Sequence, residues 1–389
     1  MRKMKNIHIL VATGEWKQDQ LRYRRHRLAE FLQKQHSTKE VIWLCPTPNQ
    51  EDGAIVTLAN GIKQWSIKDL LPQKTFRFGR YIDGFYVKKL SAFLSYLRDL
   101  PQAYTFHLWY TFPGFPVLAE LFPWDKVIYD CSDLWAASMG GKTSMISMIR
   151  QGVISRAEER IIQRANTIFC TSDFLRKLIV EKVGSDEHVY TFENGVEYEL
   201  FTKKQMPKEQ VLPVNHKGTV LGFIGGIKPK LDFELIKQVA QKKREWLFLF
   251  VGPDGTNEHS EFKQLLLEEN VLWTGSVNPS EVPTYMNAID IGIMPYKLSL
   301  YNQAVFPLKL FEFLGAGKSV VGVHLPSTKK YAEEMVYTHL NTNHPDEFIK
   351  ACEQLETYKN HEGYSNRRRE MAKLKNWDAI FTEMVESLH

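Results

Sequence analysis

Short apolar runs rich in β-branched residues alternate with longer helix-like segments along the whole of this 389-residue chain. This alternation favours α/β layers built on parallel sheets over a β-sandwich or a helix bundle. The predicted strands of the first half are residues 7–12, 41–45, 104–109, 126–129, 167–170 and 188–192, and a helix is predicted at 155–165. Those of the second half are 220–224, 246–251, 271–274, 289–294 and 319–323, with a helix at 233–240. The predicted fold class is α/β.

A polar segment at residues 202–218, interrupted by two prolines, separates the two halves and is the clearest linker. A chain of this length is long for a single core, so two domains are expected. We predict a first domain at residues 1–205, a linker at 206–218, a second domain at 219–370 and a tail at 371–389. The tail contains an amphipathic helix at 376–388. Its polar face is acidic, which favours docking on protein over anchoring in a membrane.

The formal net charge is +5, and the excess lies in the first half. Residues 1–205 hold 29 Lys and Arg against 22 Asp and Glu, whereas residues 206–389 hold 21 against 23. A basic half indicates an anionic partner, such as a phosphate group or an anionic lipid. No nucleic-acid recognition motif occurs, so no nucleic acid is expected as a partner.

No apolar stretch reaches the roughly 18–20 residues that a membrane span needs. The basic and apolar N-terminus is better explained by a first strand than by a signal peptide. The four cysteines lack the spacing of a metal site or a disulfide framework, which fits a reducing compartment. The protein is therefore expected to be cytoplasmic, soluble or at most peripheral to a membrane.

Lys309 and Glu312 lie three residues apart in a predicted helix that runs into Gly315 and Gly317. A carboxylate can accept hydrogen bonds from the two vicinal hydroxyls of a ribose, and a neighbouring ammonium group can bind phosphate. The pair therefore suits a ribose diphosphate. A surface ion pair on an ordinary helix fits the spacing equally well.

A glycine pair, Gly225 and Gly226, follows a predicted strand and precedes a predicted helix. Glycines allow a phosphate to approach the backbone, and a helix N-terminus supplies N–H groups. Lys228 and Lys230 add positive charge, and Asp232 is the predicted N-cap. The segment is not the G-x-G-x-x-G motif of dinucleotide-binding proteins, and an ordinary turn with solvated lysines is the alternative.

Asp130 and Asp133 follow a predicted strand of the first half. A carboxylate at the carboxyl end of a strand can act as a general base or stabilise positive charge at an anomeric carbon. We assign this role to Asp133 and keep Asp130 as the second candidate, since one of the two is expected to cap the next turn. His107 is a third candidate, although a histidine within an aromatic strand is more often buried.

Four arginines, Arg22, Arg24, Arg25 and Arg27, follow the first predicted strand and the turn at Gly14. They cannot all share one helix face, and we expect them at the mouth of a cleft. A pyrophosphate group or anionic lipid headgroups would bind there. The Gly-Gly-Lys-Thr sequence at residues 140–143 is not a P-loop, because Ala136 occupies the position of its first glycine.

Residues 307–317 resemble the nucleotide-sugar signature of the GT-B glycosyltransferases of family 4, and similar blocks occur at 20–27, 127–133, 193–196, 222–227 and 290–296. The resemblance implies two Rossmann-like α/β/α domains that face each other across a cleft, with the tail helix crossing back to the first domain. It also implies that Pro307 and Leu308 join Lys309 and Glu312 at the nucleotide sugar. The backbone near Ser276 and Val277 would meet the uracil edge, and Tyr296 would pack against the nucleotide.

For function, the resemblance implies transfer of a sugar from a UDP-sugar to a lipid-diphosphate-linked glycan at an anionic membrane surface. The protein would then be peripheral at the inner face of the plasma membrane. Teichuronic acid or a related anionic polymer is the implied product, and UDP-glucuronate is a candidate donor. No cofactor or metal is expected, since lysines supply the positive charge and the chain contains no Asp-x-Asp triplet.

One position departs from the family pattern, in which two glutamates lie eight residues apart. Ala304 stands at the partner position of Glu312, so retention or inversion is not predicted. Two other functions remain open. One is a UDP-sugar epimerase on the same fold, and the other is a non-catalytic scaffold that binds nucleotide sugars.

Overall fold

The computed structural model describes residues 5–17, 22–48, 54–69, 80–101, 103–139, 145–202, 211–213, 216–256, 260–359 and 361–388. The chain forms two compact units. The first consists of Met1–Ser138, Lys142–Glu193 and Phe381–His389, and the second of Met139–Gly141 and Asn194–Ile380. The division thus falls after Glu193, whereas the sequence placed it at the linker 206–218, most of which lies outside the described residues.

The strands of the first unit form one sheet. They are β1 (Lys5–Val11), β2 (Thr38–Thr47), β3 (Ala54–Thr57), β4 (Lys63–Lys68), β5 (Tyr104–Tyr110), β6 (Lys126–Cys131), β7 (Thr167–Cys170) and β8 (Val189–Thr191). Their order is β3-β4-β2-β1-β5-β6-β7-β8, and of the described pairs only β3 with β4 is antiparallel. Its helices are α1 (Arg24–Lys34), α2 (Asp83–Tyr86), α3 (Ser91–Arg98), α4 (Met145–Arg164) and α5 (Asp173–Val183).

The second unit also contains one sheet, with strands β9 (Val220–Ile224), β10 (Leu247–Val251), β11 (Val271–Trp273), β12 (Ile291–Pro295), β13 (Ser319–Val323) and β14 (Thr338–Leu340). All described neighbours are parallel, in the order β11-β10-β9-β12-β13-β14. This is the strand order of a Rossmann fold. Every residue of β9, β10, β12 and β13 is buried, as expected when helices cover both faces of a parallel sheet.

The helices that follow Glu193 begin with α6 (Tyr198–Thr202), α7 (Phe233–Lys242), α8 (Ser260–Leu265), α9 (Val282–Ala288), α10 (Leu300–Ala304) and α11 (Lys309–Gly315). The rest are α12 (Lys329–Glu333), α13 (Pro345–Glu356), α14 (Glu362–Lys373) and α15 (Trp377–Glu386). Helix α15 begins in the second unit, and from Phe381 onward it belongs to the first. Its apolar residues Trp377, Ile380, Phe381 and Met384 are all buried, which fits a docking helix.

The α/β prediction is confirmed, and every predicted strand is present with ends shifted by at most three residues. Three short strands were not predicted, namely β3, β4 and β14. The hairpin of β3 and β4 escapes the apolar pattern because β3 is at the sheet edge, where Ile55 and Val56 are 45% and 44% exposed. Helix α4 begins at Met145, ten residues before the predicted start.

Candidate functional site

The predicted pair Lys309 and Glu312 forms on α11. The Nζ atom of Lys309 lies 2.6 Å from Oε2 of Glu312, and the side chains are 23% and 8% exposed. Lys309 is the first residue of the helix, and Glu312 lies one turn later on the same face. A carboxylate with so little exposure is not part of an ordinary solvated surface pair. It is a hydrogen-bond acceptor in the first turn of α11, held in place by the more accessible ammonium group of Lys309.

The loop after β9 lies directly against Lys309. A Cβ atom built on Gly225 would lie 3.7 Å from Cε of Lys309. The same atom built on Gly252, in the loop after β10, would lie only 2.1 Å from the carbonyl oxygen of Gly225. Gly225 and Gly252 have φ values of +142° and +133°, which other residues rarely adopt. The two loops therefore pack backbone to backbone, and the side chain of Lys309 lies close to the backbone of Gly225.

This arrangement lies where the strand order of the second sheet reverses. The chain passes from β9 outward to β10 and β11, then returns to β12 on the other side of β9. Gly225 follows β9 and Tyr296 follows β12, so both stand at the carboxyl ends of the two strands that flank the switch point. Open α/β sheets bind their ligands at such crevices.

Lys230 and Tyr296 contact each other. The Nζ atom of Lys230 lies 5.0 Å from the ring centroid of Tyr296 and 5.9 Å from that of Tyr301, within cation–π range. The backbone carbonyl of Lys230 accepts hydrogen bonds from the amide of Lys297 at 3.0 Å and from Nδ2 of Asn302 at 3.1 Å. Lys230 is thus fixed on an aromatic face, which contradicts the alternative of a freely solvated lysine.

Three polar side chains that the sequence analysis did not select hold this part of the site in place. Asn302 is fully buried and joins the carbonyls of Lys230 and Lys297. Asn343 donates to Oδ2 of Asp232 at 2.6 Å and to the carbonyl of Tyr296 at 3.2 Å. Asn194 donates to the carbonyl of Phe306 at 2.8 Å, just before Pro307. Asn194 lies in the block at 193–196, but no local sequence signal marks the contacts of these three asparagines, because each has a partner 72 or more residues away.

The other predicted residues of the second unit lie in the loops around this core. Asp232 accepts a hydrogen bond from the amide of Leu235 at 2.9 Å, which confirms the N-cap of α7. Ser276 is exposed and Val277 half-buried after β11, next to Gly275, whose carbonyl accepts from the amide of Gly252 at 2.8 Å. The remaining predicted residues are the half-buried Gly226, Lys228 and Leu308 and the buried Pro307.

Asp130 and Arg24 do not occupy the surface positions that the sequence analysis gave them. Nε of Arg24 donates to both carboxylate oxygens of Asp130, at 3.0 and 2.9 Å, and the two residues are 3% and 1% exposed. Arg24 also donates to the carbonyl of Glu193 at 3.0 Å and lies over the ring of Phe381. Asp130 as second catalytic candidate and Arg24 as acceptor or membrane residue are therefore corrected, because both are enclosed in the core of the first unit.

His107 is also corrected as a catalytic candidate. It is 7% exposed, and its ring packs edge-on against His8 with centroids 5.1 Å apart. Its register partner in β6 is Lys126, the first residue of that strand. His107 thus lies several residues, about 10 Å, from the carboxyl edge of the sheet where Asp133 lies. Burial, followed by the charge of His107, lowers the pKa of His8 well below its usual value.

Asp133 is the predicted catalytic carboxylate that remains accessible. It is half-buried and follows β6 by two residues, at the carboxyl edge of the first sheet. The hydroxyl of Ser132 lies 3.4 Å from its Oδ2 atom, and the amide of Trp135 donates to its backbone carbonyl at 3.0 Å. These contacts fix the turn that carries the carboxylate.

The remaining basic residues lie around the start of α1. Arg22 pairs with Glu30, Arg25 lies 4.5 Å from the ring centroid of Tyr23, and Arg27 is half-buried. The carbonyl of Gly14 accepts from the indole of Trp43 at 2.9 Å. Arg22, Arg25 and Arg27 are therefore more accessible than Arg24, and contacts with Glu30 and Tyr23 orient Arg22 and Arg25.

His26 was missed by the sequence analysis. It is buried between Trp16 and Trp43, with ring centroids 4.8 and 4.9 Å away. Burial, followed by the nearby guanidinium groups of Arg25 and Arg22, lowers the pKa of His26 to about 3. His26 is consequently neutral near pH 7 and serves as an aromatic packing residue among cations.

Within the described ranges, no group of three or more His, Cys, Asp and Glu side chains is arranged to hold a metal ion. Of the helices that the structure describes, none is long and apolar enough to cross a membrane.

A family model described as glycosyl transferases group 1 matches residues 218–357, which contain the whole predicted nucleotide-sugar site. Solved structures match the full chain. Sucrose-phosphate synthase of Thermosynechococcus elongatus has a TM-score of 0.77 at 14% identity, covering 98% of both chains. HepE of Anabaena, solved in complex with UDP-glucose, has a TM-score of 0.67 at 13% identity, covering 98% of this chain and 99% of that one. The fold is the GT-B fold.

Similarity to a curated relative over nearly the whole chain shows the family. A protein of Bacillus subtilis (strain 168) is 54% identical over 383 residues, covering 98% of this chain and 96% of the relative. The chain belongs to the GT-B glycosyltransferases of group 1, as its motifs predicted. The relative is the candidate teichuronic acid biosynthesis glycosyltransferase TuaH.

Proposed function

We propose that this glycosyltransferase transfers a sugar from a UDP-sugar to a lipid-diphosphate-linked glycan during synthesis of teichuronic acid or a related anionic polymer. The observation that carries the donor assignment is the Lys309–Glu312 pair beside the bare backbone of Gly225, at the switch point of the second sheet. HepE, which shares the fold, is solved with UDP-glucose, and the Bacillus relative carries a name in teichuronic acid synthesis. UDP-glucuronate is our candidate donor.

In the proposed donor site, Glu312 accepts hydrogen bonds from the ribose hydroxyls. Lys309 shares its positive charge between Glu312 and the diphosphate, which reaches it across Gly225. Gly226, Lys228 and Lys230 complete the diphosphate contacts, and the lysines supply the charge that a divalent cation would otherwise provide. We therefore expect turnover to persist in the presence of a chelator.

The other donor contacts follow from the loops at neighbouring strand ends. Tyr296, held by its backbone contact to Asn343, packs against the nucleotide. Backbone groups near Ser276 and Val277 meet the uracil edge. Pro307 and Leu308 set the start of α11, so that Lys309 and Glu312 face the ligand.

In the proposed reaction, Asp133 acts as the general base that takes the proton of the acceptor hydroxyl as the glycosidic bond forms and UDP leaves. Its half-exposed position at the carboxyl edge of the first sheet supports this choice over the buried Asp130. Arg22, Arg25 and Arg27 attract the pyrophosphate of the acceptor or anionic headgroups.

The test is a panel of UDP-sugars offered with bacterial membrane extract as acceptor and followed by UDP release. We expect release with one or few donors, dependent on the extract and abolished by Asp133→Asn. Interconversion of UDP-sugars without UDP release would instead identify an epimerase. Tight UDP binding without turnover of any UDP-sugar, in wild type and variant alike, would refute the proposed transfer.

A further inference from the structure

The outward face of α4 changes character halfway along the helix. Met145, Met148 and Ile149 are 75%, 57% and 62% exposed, and their i, i+3, i+4 spacing places them on one side. The same side continues through the exposed residues Arg156, Glu159 and Gln163. The outward face is therefore apolar in the first half of the helix and polar in the second.

The first half of α4 is not part of the core. From residue 154 onward the inward face of the helix contains Ile154, Ala157, Ile161 and Ile162, which are all buried. None of the described side chains between 145 and 153 is buried. At 1.5 Å per residue, these nine residues extend for about 13 Å. Exposed apolar side chains that no core requires mark an interaction surface.

The charge of this segment is uniformly positive. Residues 145–156 contain Arg150 and Arg156, both exposed, and no Asp or Glu. The first carboxylate of the helix, Glu158, is buried and accepts from Tyr129 at 2.7 Å and from Lys182 at 2.9 Å. Apolar side chains flanked by arginines, without acids, match the boundary between anionic headgroups and acyl chains of a bilayer.

We propose that the first half of α4 docks on an anionic lipid bilayer, with Met145, Met148 and Ile149 inserted at the acyl boundary and Arg150 and Arg156 among the headgroups. A second copy of the chain is a poorer occupant, because a stable protein interface uses some 20–30 residues on each side. Methionine side chains are flexible and adapt to an irregular surface, such as the acyl boundary of a bilayer. This surface is separate from the arginines of α1 and rests on the proposed function only for the presence of a membrane-bound acceptor.

The first experiment places a probe on the helix. The four native cysteines are buried, so Met148→Cys can be labelled selectively with an environment-sensitive fluorophore. Gln163→Cys, on the polar half of the same face, is the matched control. We expect a blue shift of emission from position 148, but not from 163, with phosphatidylglycerol vesicles and not with phosphatidylcholine vesicles. An equal response at both positions, or none at 148, would overturn the proposal.

The second experiment removes the apolar side chains. The double variant Met148→Ser/Ile149→Ser should co-sediment with phosphatidylglycerol vesicles at least about tenfold more weakly than the wild type. Leu267→Ser/Leu374→Ser, which removes two apolar side chains that are 81% and 74% exposed, should bind like the wild type. Wild-type vesicle binding by the first variant would contradict the proposal.

Two further measurements separate the outcomes. A wild-type dimer in sedimentation velocity that Met148→Ser/Ile149→Ser dissociates would make a second copy the occupant and overturn the proposal. UDP affinity of that variant in solution should equal that of the wild type, because α4 carries no residue of the donor site. A wild type that binds vesicles as expected, but binds no UDP, would refute the proposed function and leave this inference standing.

Discussion

Glu312→Gln tests the nucleotide site with little disturbance of the fold. The amide has nearly the shape of the carboxylate but lacks its charge. The ammonium group of Lys309 is 23% exposed and stays accessible to water, so loss of the ion pair should cost less than the roughly 3–5 kcal/mol expected for a fully buried pair. The variant is therefore expected to be folded, and a change in ligand affinity can be assigned to the binding site.

Substitution of Glu312 should weaken uridine binding more than UDP binding, and substitution of Lys309 should do the reverse. Hydrogen bonds from the ribose hydroxyls to a charged acceptor are worth about 1.5–3 kcal/mol, which corresponds to a loss of roughly 10- to 150-fold in uridine affinity. For UDP the loss should be smaller. Lys309, whose ammonium lies 2.6 Å from the carboxylate, is released by the substitution and can interact fully with the diphosphate.

Isothermal titration calorimetry of uridine and UDP against the wild type, Glu312→Gln and Lys309→Ala measures this directly. Lys309→Ala is the matched control and should weaken UDP binding while sparing uridine. Unchanged uridine affinity in a folded Glu312→Gln variant would remove Glu312 from the ribose site. Equal losses for both ligands in Lys309→Ala would refute its role at the diphosphate.

Asp133→Asn should lower UDP release by roughly two to four orders of magnitude and leave UDP affinity unchanged, as measured by steady-state assay and calorimetry; retained turnover would exclude a general base there. Asp130→Asn should instead lower the free energy of unfolding in urea by about 3–5 kcal/mol, because the buried Arg24 loses its charged partner; wild-type stability would contradict this assignment. His26 has a folded-state pKa of about 3, so below pH 6.5 the unfolded chain binds a proton that the folded chain excludes. The free energy of unfolding therefore decreases as the pH is lowered. Between pH 6.5 and 4.5 this proton uptake should lower the free energy of unfolding by about 2–3 kcal/mol. Urea titrations should show this decrease in the wild type and in the exposed control His36→Gln, but not in His26→Gln.

The sequence predicted those features whose cause is local. Strands such as β9 and β13 are short β-branched or aromatic runs with all residues buried, so composition alone identified them. Lys309 and Glu312 share one helix turn, and their spacing was enough to predict the contact. Gly225 was selected as a phosphate-binding position because it follows a strand and precedes a helix, which is also a local signal.

Contacts between residues that lie far apart in the chain could not be predicted from local patterns. Arg24 was grouped with Arg25 and Arg27 because of its neighbours, whereas its environment is set by Asp130, 106 residues away. The burial of His26 is likewise set by tertiary contacts, since its helical pattern gives no reason to expect it between two tryptophans. The hairpin of β3 and β4 is held by a sheet edge and not by an apolar pattern of its own.

Helix α15 imposes an order on the synthesis of the protein. The first unit includes Phe381–His389, and Arg24 lies against Phe381 and within 3.0 Å of Sδ of Met384. During translation, domains generally form from the N-terminus as the chain emerges from the ribosome. Here the N-terminal unit must wait, with the surface beside Arg24 uncovered, until the whole second unit has been made. The first unit is therefore completed only after residues 381–388 have emerged from the ribosome.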